Sequence, residues 1–385
     1  MKRRVLAGFL ICLLLMSLVS CKQKQYHKAL DLIEQGEIEA AFTMLGEMGD
    51  DRKAQELLTH FRYVPTKIVF HYGEEHFVAE YAYGEDSLLQ TVTGQADQHR
   101  STRNFVYDAA GHILSQRDIS EYGGFTIEGG HDYTYDADGN MLSETHTSDG
   151  SIQYRYEYTY DVTGNLIREV NEYYDYGERQ IIDYTYDDSG CLLRKAVTVN
   201  GTTTTEEDYT YDTSGRLLRK VTVDDGATAT EDYTYDMSGK LMQYVHVNYT
   251  GKQYVRSYTY DTEGNMIRES RDNPDGGTMV HDYTYDANGN MIREVLTYPV
   301  GNIATTDYTY NAEGHLLLAK TTHPDGGIGT YEYTYDAHGN KTKQVYTSRS
   351  GYTETHEYEY LLVYIPLILP EKTEEMWDIE WFFGK

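Results

Sequence analysis

From Tyr63 onward apolar and polar positions alternate. In Glu207-Asp208-Tyr209-Thr210-Tyr211-Asp212 the tyrosines take every second place, so both project from one face of an extended strand while Asp208 and Thr210 leave from the other. After the next turn Leu217, Arg219, Val221 and Val223 alternate with Leu218, Lys220, Thr222 and Asp224 in the same way. The pattern keeps time. Tyr83, Tyr107, Tyr135, Tyr160, Tyr186, Tyr211, Tyr235, Tyr260, Tyr285, Tyr310, Tyr335 and Tyr360 follow one another at steps of 24, 28, 25, 26, 25, 24 and then 25 five times. A fixed period of this length marks an array of repeats.

Each period contains two turn signals. The first is Asp-x-x-Gly. Its aspartates are Asp108, Asp136, Asp161, Asp187, Asp212, Asp236, Asp261, Asp286 and Asp336, with Asn311 once in their place. Its glycines are Gly111, Gly139, Gly164, Gly190, Gly215, Gly239, Gly264, Gly289, Gly314 and Gly339. Aspartate or asparagine at the first position can accept hydrogen bonds from the turn backbone, and glycine takes the last position of a type I turn. The second signal lies half a period on, at Gly201, Gly226, Gly251, Gly276, Gly301, Gly326 and Gly351, where Asn200-Gly201 and Asp225-Gly226 read as hairpins. Each unit of about 25 residues therefore predicts two antiparallel strands, and eleven or twelve units predict roughly 22 strands. Open twisted sheets rarely exceed about 10 strands. The expectation is a mainly β protein, a long antiparallel meander coiling into a spiral or partial shell.

Ahead of the array the period changes to that of a helix. Tyr26, Ala29, Leu30 and Ile33, then Ile38, Ala41, Phe42 and Leu45, then Ala54, Leu57, Leu58 and Phe61 each give one apolar face. These three short helices look like a tetratricopeptide-type hairpin plus one more, read as a spacer or cap.

The first twenty residues have the layout of a secretory signal. Lys2, Arg3 and Arg4 are followed by the apolar run Val5 to Val19 and by Leu18-Val19-Ser20-Cys21. The ending resembles the bacterial lipobox, which implies acylation of Cys21 and a protein held outside the cytoplasmic membrane by its lipid. Domain boundaries follow: signal peptide 1–20, lipid-anchored tether and helical segment 21–62, β array 63–365, and a C-terminal cap 366–385. Of the three cysteines, Cys12 leaves with the signal and Cys21 carries lipid, so Cys191 is left without an intramolecular partner. It occupies a seat after the turn glycine filled elsewhere by Asn165, Arg216, Lys240 or Asn290, which marks it as incidental.

Composition narrows the partners. The chain holds 33 basic and 62 acidic residues, and removing the three basic residues of the signal leaves a net charge of −32. Such an excess opposes binding to nucleic acid, which needs clustered Lys and Arg. No cofactor is expected. Asp136-Ala137-Asp138-Gly139-Asn140 starts like a calcium loop, but most copies lack its second acid, so turn chemistry explains the aspartates better. His71-Tyr72-Gly73-Glu74-Glu75-His76 has the wrong spacing for a zinc protease motif. Asp183, Asp208, Asp232, Asp282 and Asp307 could in principle pair as glycosidase carboxylates, yet a catalytic pair is unique and these recur. The chain is read as not an enzyme.

The recurring Tyr-x-Tyr-Asp-x-x-Gly-Asn-Leu, as in Tyr158-Thr159-Tyr160-Asp161-Val162-Thr163-Gly164-Asn165-Leu166, resembles the YD repeat of the Rhs family over residues 80 to 360. The resemblance implies a coiled antiparallel β shell of the kind found on cell surfaces and in toxin carriers, some members of which bind carbohydrate. The self-cleaving Asp-Pro-x-Gly core of toxin carriers has no counterpart, since Pro274-Asp275-Gly276-Gly277 and Pro324-Asp325-Gly326-Gly327 are in-phase hairpin turns. The expected function is a lipid-anchored surface scaffold that binds or spaces glycans or surface proteins. A stalk or shell fragment of a toxin or effector system is the first alternative, and an enzyme acting on polysaccharide is the second.

Overall fold

Two-residue periodicity and closely spaced turns leave each strand only its sequence neighbours to pair with, and the chain follows that rule all the way round. The computed structural model describes residues 25–33, 35–49, 52–72, 75–84, 88–96 and 99–364. The signal, Cys21 and the segment 366–385 lie outside the described residues. Three short helices come first: α1 over residues 25–33, α2 over Ile38–Glu47 and α3 over Arg52–Leu58. Twenty-four strands follow as a single antiparallel sheet, β1 to β24, each hydrogen-bonded to the next. Among the described residues no helix is long and apolar enough to cross a membrane.

The ends of the sheet meet. β1 (Phe61–Tyr72) pairs antiparallel with β24 (Thr353–Tyr364), from Phe61↔Tyr364 to Tyr72↔Glu354. This corrects the expectation of an open spiral or partial shell: the sheet is a closed barrel of 24 strands. The physical reason is that an open array would leave two rows of unpaired backbone groups, and full closure removes both edges. A spacing of about 4.8 Å between strands gives a circumference of about 115 Å and a diameter of about 37 Å before tilt widens it.

Curvature comes from a bulge in nearly every unit. The β12 (Thr202–Tyr211) and β13 (Leu217–Asp224) ladder runs Thr210↔Arg219 and then Tyr211↔Leu217, so Leu218 is the extra residue. The same shift falls at the repeat tyrosine of the other units, from Ala82/Tyr83 to Thr334/Tyr335. A bulge bends its strand and increases the local twist, so one in each unit turns a flat meander into a ring.

Two apolar clusters sit together at the seam. Ile68, Ala79, Tyr81, Leu89, Val92 and Phe105 pack along the first strands, and α1 to α3 bury Ala29, Ala41, Leu45, Met48 and Ala54 against Phe61 and Leu362. Phe42 of α2 lies 5.4 Å from the Phe61 ring and 6.5 Å from that of Tyr63, which in turn faces His338 at 5.0 Å. The helices therefore cover the one join in the ring that no turn closes.

Gly130 is one of the strand positions closed to any side chain. A Cβ on Gly130, in β6 (Phe125–Tyr135), would stand 2.2 Å from the Gln116 carbonyl oxygen and 3.1 Å from the Arg117 Cα of β5 (Ile113–Tyr122). Both obstacles are backbone, so neither can move without parting the strands. Gly130→Ala is expected to destabilise the protein by about 3 kcal/mol in urea unfolding, the upper end of ordinary overpacking. Gly46→Ala, whose added carbon meets nothing within 4 Å, is the control and should not destabilise.

Candidate functional site

The YD turns line one rim of the barrel and have a common construction. At Asp212 the Gly215 N–H donates to the Asp212 carbonyl at 3.1 Å, and the Asp212 N–H donates to the Arg216 carbonyl at 2.9 Å. The Asp212 Oδ1 accepts the N–H groups of Ser214 and Arg216, and Oδ2 accepts Nε of Arg216 at 2.6 Å. Backbone donors reach the side-chain oxygen in the same way at Asp108, Asp136, Asp161, Asp187, Asp236, Asp261, Asp286, Asn311 and Asp336.

The glycines of these turns do more than the sequence reading assigned them. At Gly111, Gly139, Gly164, Gly190, Gly215, Gly239, Gly264, Gly289, Gly314 and Gly339 the N–H closes the turn on the carbonyl of the Asp or Asn three residues before, at 3.0 to 3.2 Å. A plain type I turn would end there. Instead every one of the ten has φ between +79° and +98°, and the residue after it returns its carbonyl to the Asp or Asn N–H. Each turn thus has glycine at its last position with a left-handed backbone, which adds a one-residue bulge. The reason is the second hydrogen bond, which needs a chain reversal that a residue with a Cβ makes only under strain. Neither the aspartates nor the glycines gather into a binding or catalytic centre.

Hydrogen bonds to the charged form lower a carboxyl pKa. That of Asp161 is drawn down to about 2, first by the Thr163 hydroxyl and then by backbone donors. Among the described residues no three His, Cys, Asp or Glu side chains gather in a metal-holding geometry.

The periodic tyrosine joins one unit to the next. Tyr211 sends its hydroxyl to the Leu192 carbonyl at 2.9 Å, beyond Arg194↔Asp208, the last pair of the ladder between β11 (Leu192–Val199) and β12. The bulge has ended that ladder early, and the phenol bridges the gap. All twelve in-phase tyrosines do this, from Tyr83 to Pro65 at 2.8 Å through Tyr235 to Leu217 at 2.9 Å and Tyr360 to Lys341 at 2.9 Å. The residue after the turn glycine then rests on the tyrosine of the next unit: His112 on Tyr135 at 4.8 Å, Arg216 on Tyr235 at 5.0 Å, Lys240 on Tyr260 at 5.0 Å and His315 on Tyr335 at 4.9 Å. Cys191 fills the same seat, and a Cβ on the following turn glycine, Gly215, would lie 3.9 Å from its sulfur.

The two faces of the sheet differ. Side chains converge on the concave side of a curved sheet, and the tyrosine face is the crowded one, with Asn171 and Glu269 only 4 % and 5 % exposed. On this inner wall His131 meets Glu144 at 2.7 Å, and His281 meets Glu294 at 2.7 Å. These pairs lie on strands twelve apart in a ring of twenty-four, so they stand on opposite walls. Burial away from water pushes Tyr135, Tyr154, Tyr283, Tyr308 and Tyr358 up to about 12.

The outer face carries the carboxylates weighed as glycosidase candidates. Asp183, Asp208, Asp232, Asp282 and Asp307 each face an arginine across the ladder, namely Arg168 at 2.6 Å, Arg194 at 3.6 Å, Arg219 at 3.1 Å, Arg268 at 3.4 Å and Arg293 at 2.7 Å. All are half exposed, so each pair contributes at most about 1 kcal/mol. They form a row of equivalent cross-strand pairs and converge on no common point. His71 and His76 stack at 6.3 Å across β1 and β2 (Glu75–Tyr83), with the His71 ring 4.0 Å from Glu357.

A crest of exposed aromatic residues stands on the opposite rim. Tyr122 and Phe125 flank the Gly123-Gly124 turn at 67 % and 77 % exposure, and, two hairpins on, Tyr174 and Tyr176 are exposed at 50 % and 86 %. The signal for this crest was present: aromatic residues stand at hairpin tips where other units have Asn-Gly or Asp-Gly. The period does not contain it, because the far-rim loops are where the units differ.

Family models match the same repeats. A model of the teneurin YD-shell matches residues 46–247, and one of the RHS repeat matches residues 285–328. No curated protein matches. Among solved structures, the chain is similar to a TcdB2-TccC3-Cdc42 complex at 15% identity and TM-score 0.40, covering 75% of this chain and 20% of that one. It is also similar to a TcdB2-TccC3 complex at 16% identity and TM-score 0.37, covering 72% and 16%. A porin-like protein from Bacteroides uniformis matches at 13% identity and TM-score 0.25, covering 77% and 96%. The chain thus spans about a fifth of the length of the first of these structures. With its tyrosine ladder, its Asp-x-x-Gly rim and a family match over more than half of its 385 residues, the chain belongs to the YD-shell family of RHS-repeat proteins.

Proposed function

We propose that this protein is a non-catalytic scaffold, a closed wall of YD repeats held at the bacterial cell envelope by lipid on Cys21, whose far rim contacts glycans or surface proteins. The observation that carries the reading is the exposed crest of Tyr122, Phe125, Tyr174 and Tyr176 on hairpins of one rim. Flat rings with a hydroxyl at the tip suit the apolar faces of sugars and the cores of protein interfaces. The carboxylates, by contrast, are spent on turns and on cross-strand pairs, and a net charge of −29 argues against nucleic acid. The basic start, apolar run and Ser20-Cys21 junction support the envelope location.

Glycan-array binding by the chain from residue 22 onward tests the reading. Tyr122→Ala, Phe125→Ala and Tyr176→Ala together should weaken binding at least about tenfold, each buried aromatic contact contributing about 1 kcal/mol or more. Since these side chains are exposed, the fold should survive. An array without a single ligand would remove the glycan arm, and unchanged affinity in the triple variant would remove the crest. Membership of the YD-shell family supports a second reading, a structural part of a toxin or effector assembly. Co-purification of one defined envelope partner with a silent glycan array would favour it.

A further inference from the structure

One strand position breaks the repeat in a way the scaffold does not need. The second residue after each turn glycine is apolar in nine units running, from Ile113 to Leu316, and in the tenth it is Lys341. It begins β23 (Lys341–Thr347), opposite Tyr335, and its carbonyl receives the Tyr360 hydroxyl at 2.9 Å as leucine does elsewhere. Its half-buried side chain runs between two phenol rings, with Nζ 4.9 Å from the centroid of Tyr358 and 5.8 Å from that of Tyr333. Nζ donates one hydrogen bond, to Gln344 Oε1 at 2.9 Å. Among the described residues no carboxylate pairs with it, whereas Lys343 meets Glu357 at 2.8 Å and Lys252 meets Asp275 at 2.5 Å.

We propose that Lys341 is a covalent modification site, an amine that takes the carbonyl carbon of an uncharged aldehyde such as the open-chain form of a reducing sugar. The rings on either side suit the C–H face of a sugar, and a chain of charge −29 disfavours anionic electrophiles. In the step the Nζ lone pair forms the C–N bond and the carbonyl π pair moves to oxygen. Both N–H protons of the neutral amine leave with that oxygen as water, giving an imine without oxidant or reductant. Reaction needs the neutral amine, and burial lowers the Lys341 pKa below that of an ordinary lysine. This site is independent of the far-rim crest.

The test is competitive labelling of the whole chain with glyceraldehyde and cyanoborohydride at neutral pH, followed by peptide mass spectrometry. A lowered pKa raises the fraction of free amine at neutral pH, so Lys341 should label faster than Lys252 or Lys343. Its rate should also level off at a lower pH than that of an ordinary lysine. Lys341→Leu restores the residue type of the other units, so it should remove the fastest site and leave the circular dichroism and Tm unchanged. Should that variant misfold, the ranking of rates and their pH profiles in the unaltered chain still decide. Labelling of Lys341 at the rate of the other two lysines, or more slowly, overturns the assignment.

Discussion

Changing Tyr211, Tyr235, Tyr260 and Tyr285 together to phenylalanine is expected to reduce the unfolding free energy by about 4 kcal/mol, roughly 1 kcal/mol for each hydrogen bond removed. Each ring stays in place and only the hydroxyl goes, so packing is preserved. What is lost is the donor to Leu192, Leu217, Leu241 and Met266, carbonyls lying beyond the ends of their ladders. The four sites belong to four successive units, and in a repeat array such losses add along the chain. Urea unfolding followed by circular dichroism measures the effect. Tyr122→Phe, Tyr176→Phe and Tyr249→Phe together are the control, because those rings are exposed and make no hydroxyl bond of this kind. A quartet no less stable than the control set would show that the tyrosines act through ring packing alone.

Alkali should unfold the barrel. Tyr135, Tyr154, Tyr283, Tyr308 and Tyr358 are pushed up to about 12, chiefly by burial, and Tyr133, Tyr158, Tyr184, Tyr209 and Tyr233 are raised further. A tyrosine in the unfolded chain titrates near 10. The folded state therefore holds protons that the unfolded state gives up, and this contribution is complete below about pH 10 and disappears as pH rises towards 12. Ionisation of the in-phase tyrosines also removes the donors that join the units. Absorbance of tyrosinate and far-ultraviolet circular dichroism, recorded on one sample, should show an early phase of tyrosine ionisation with the fold intact. The remainder should ionise together with the loss of strand signal. If all 40 tyrosines titrated in a single ordinary step while the strands persisted, the account of the inner wall would fail.

The repeat itself was legible at the level of single residues. Alternation placed Tyr209 and Tyr211 on one face and Asp208 on the other, and the turn residues from Asp108 to Gly339 occupy the turns of one rim. The left-handed backbone of those turn glycines was not legible, because Asp-x-x-Gly suits a plain type I turn as well as one extended by a bulge. The row Asp183, Asp208, Asp232, Asp282 and Asp307 was legible as a solvated strand face. Its arginine partners were not, because cross-strand register depends on where each bulge falls. The tyrosine period was visible without its purpose. Which carbonyl a bulge leaves beyond the end of a ladder is a property of three adjacent strands, and no window of sequence contains that relation.

Local sequence determined the elements: three short helices, then strands of seven to twelve residues set by two-residue alternation and cut by Asp-x-x-Gly and Asn-Gly turns. These choices are made by interactions within a few residues, so they are written along the chain. Closure was decided by the tertiary structure. Phe61 and Tyr364 come together across the full length of the array, and whether they meet depends on twist and bulge curvature summed over twelve units. A few degrees more or less for each unit would leave a spiral. Pairing the two edges removes that freedom, because the backbone groups along them then find partners on either side of one bulge.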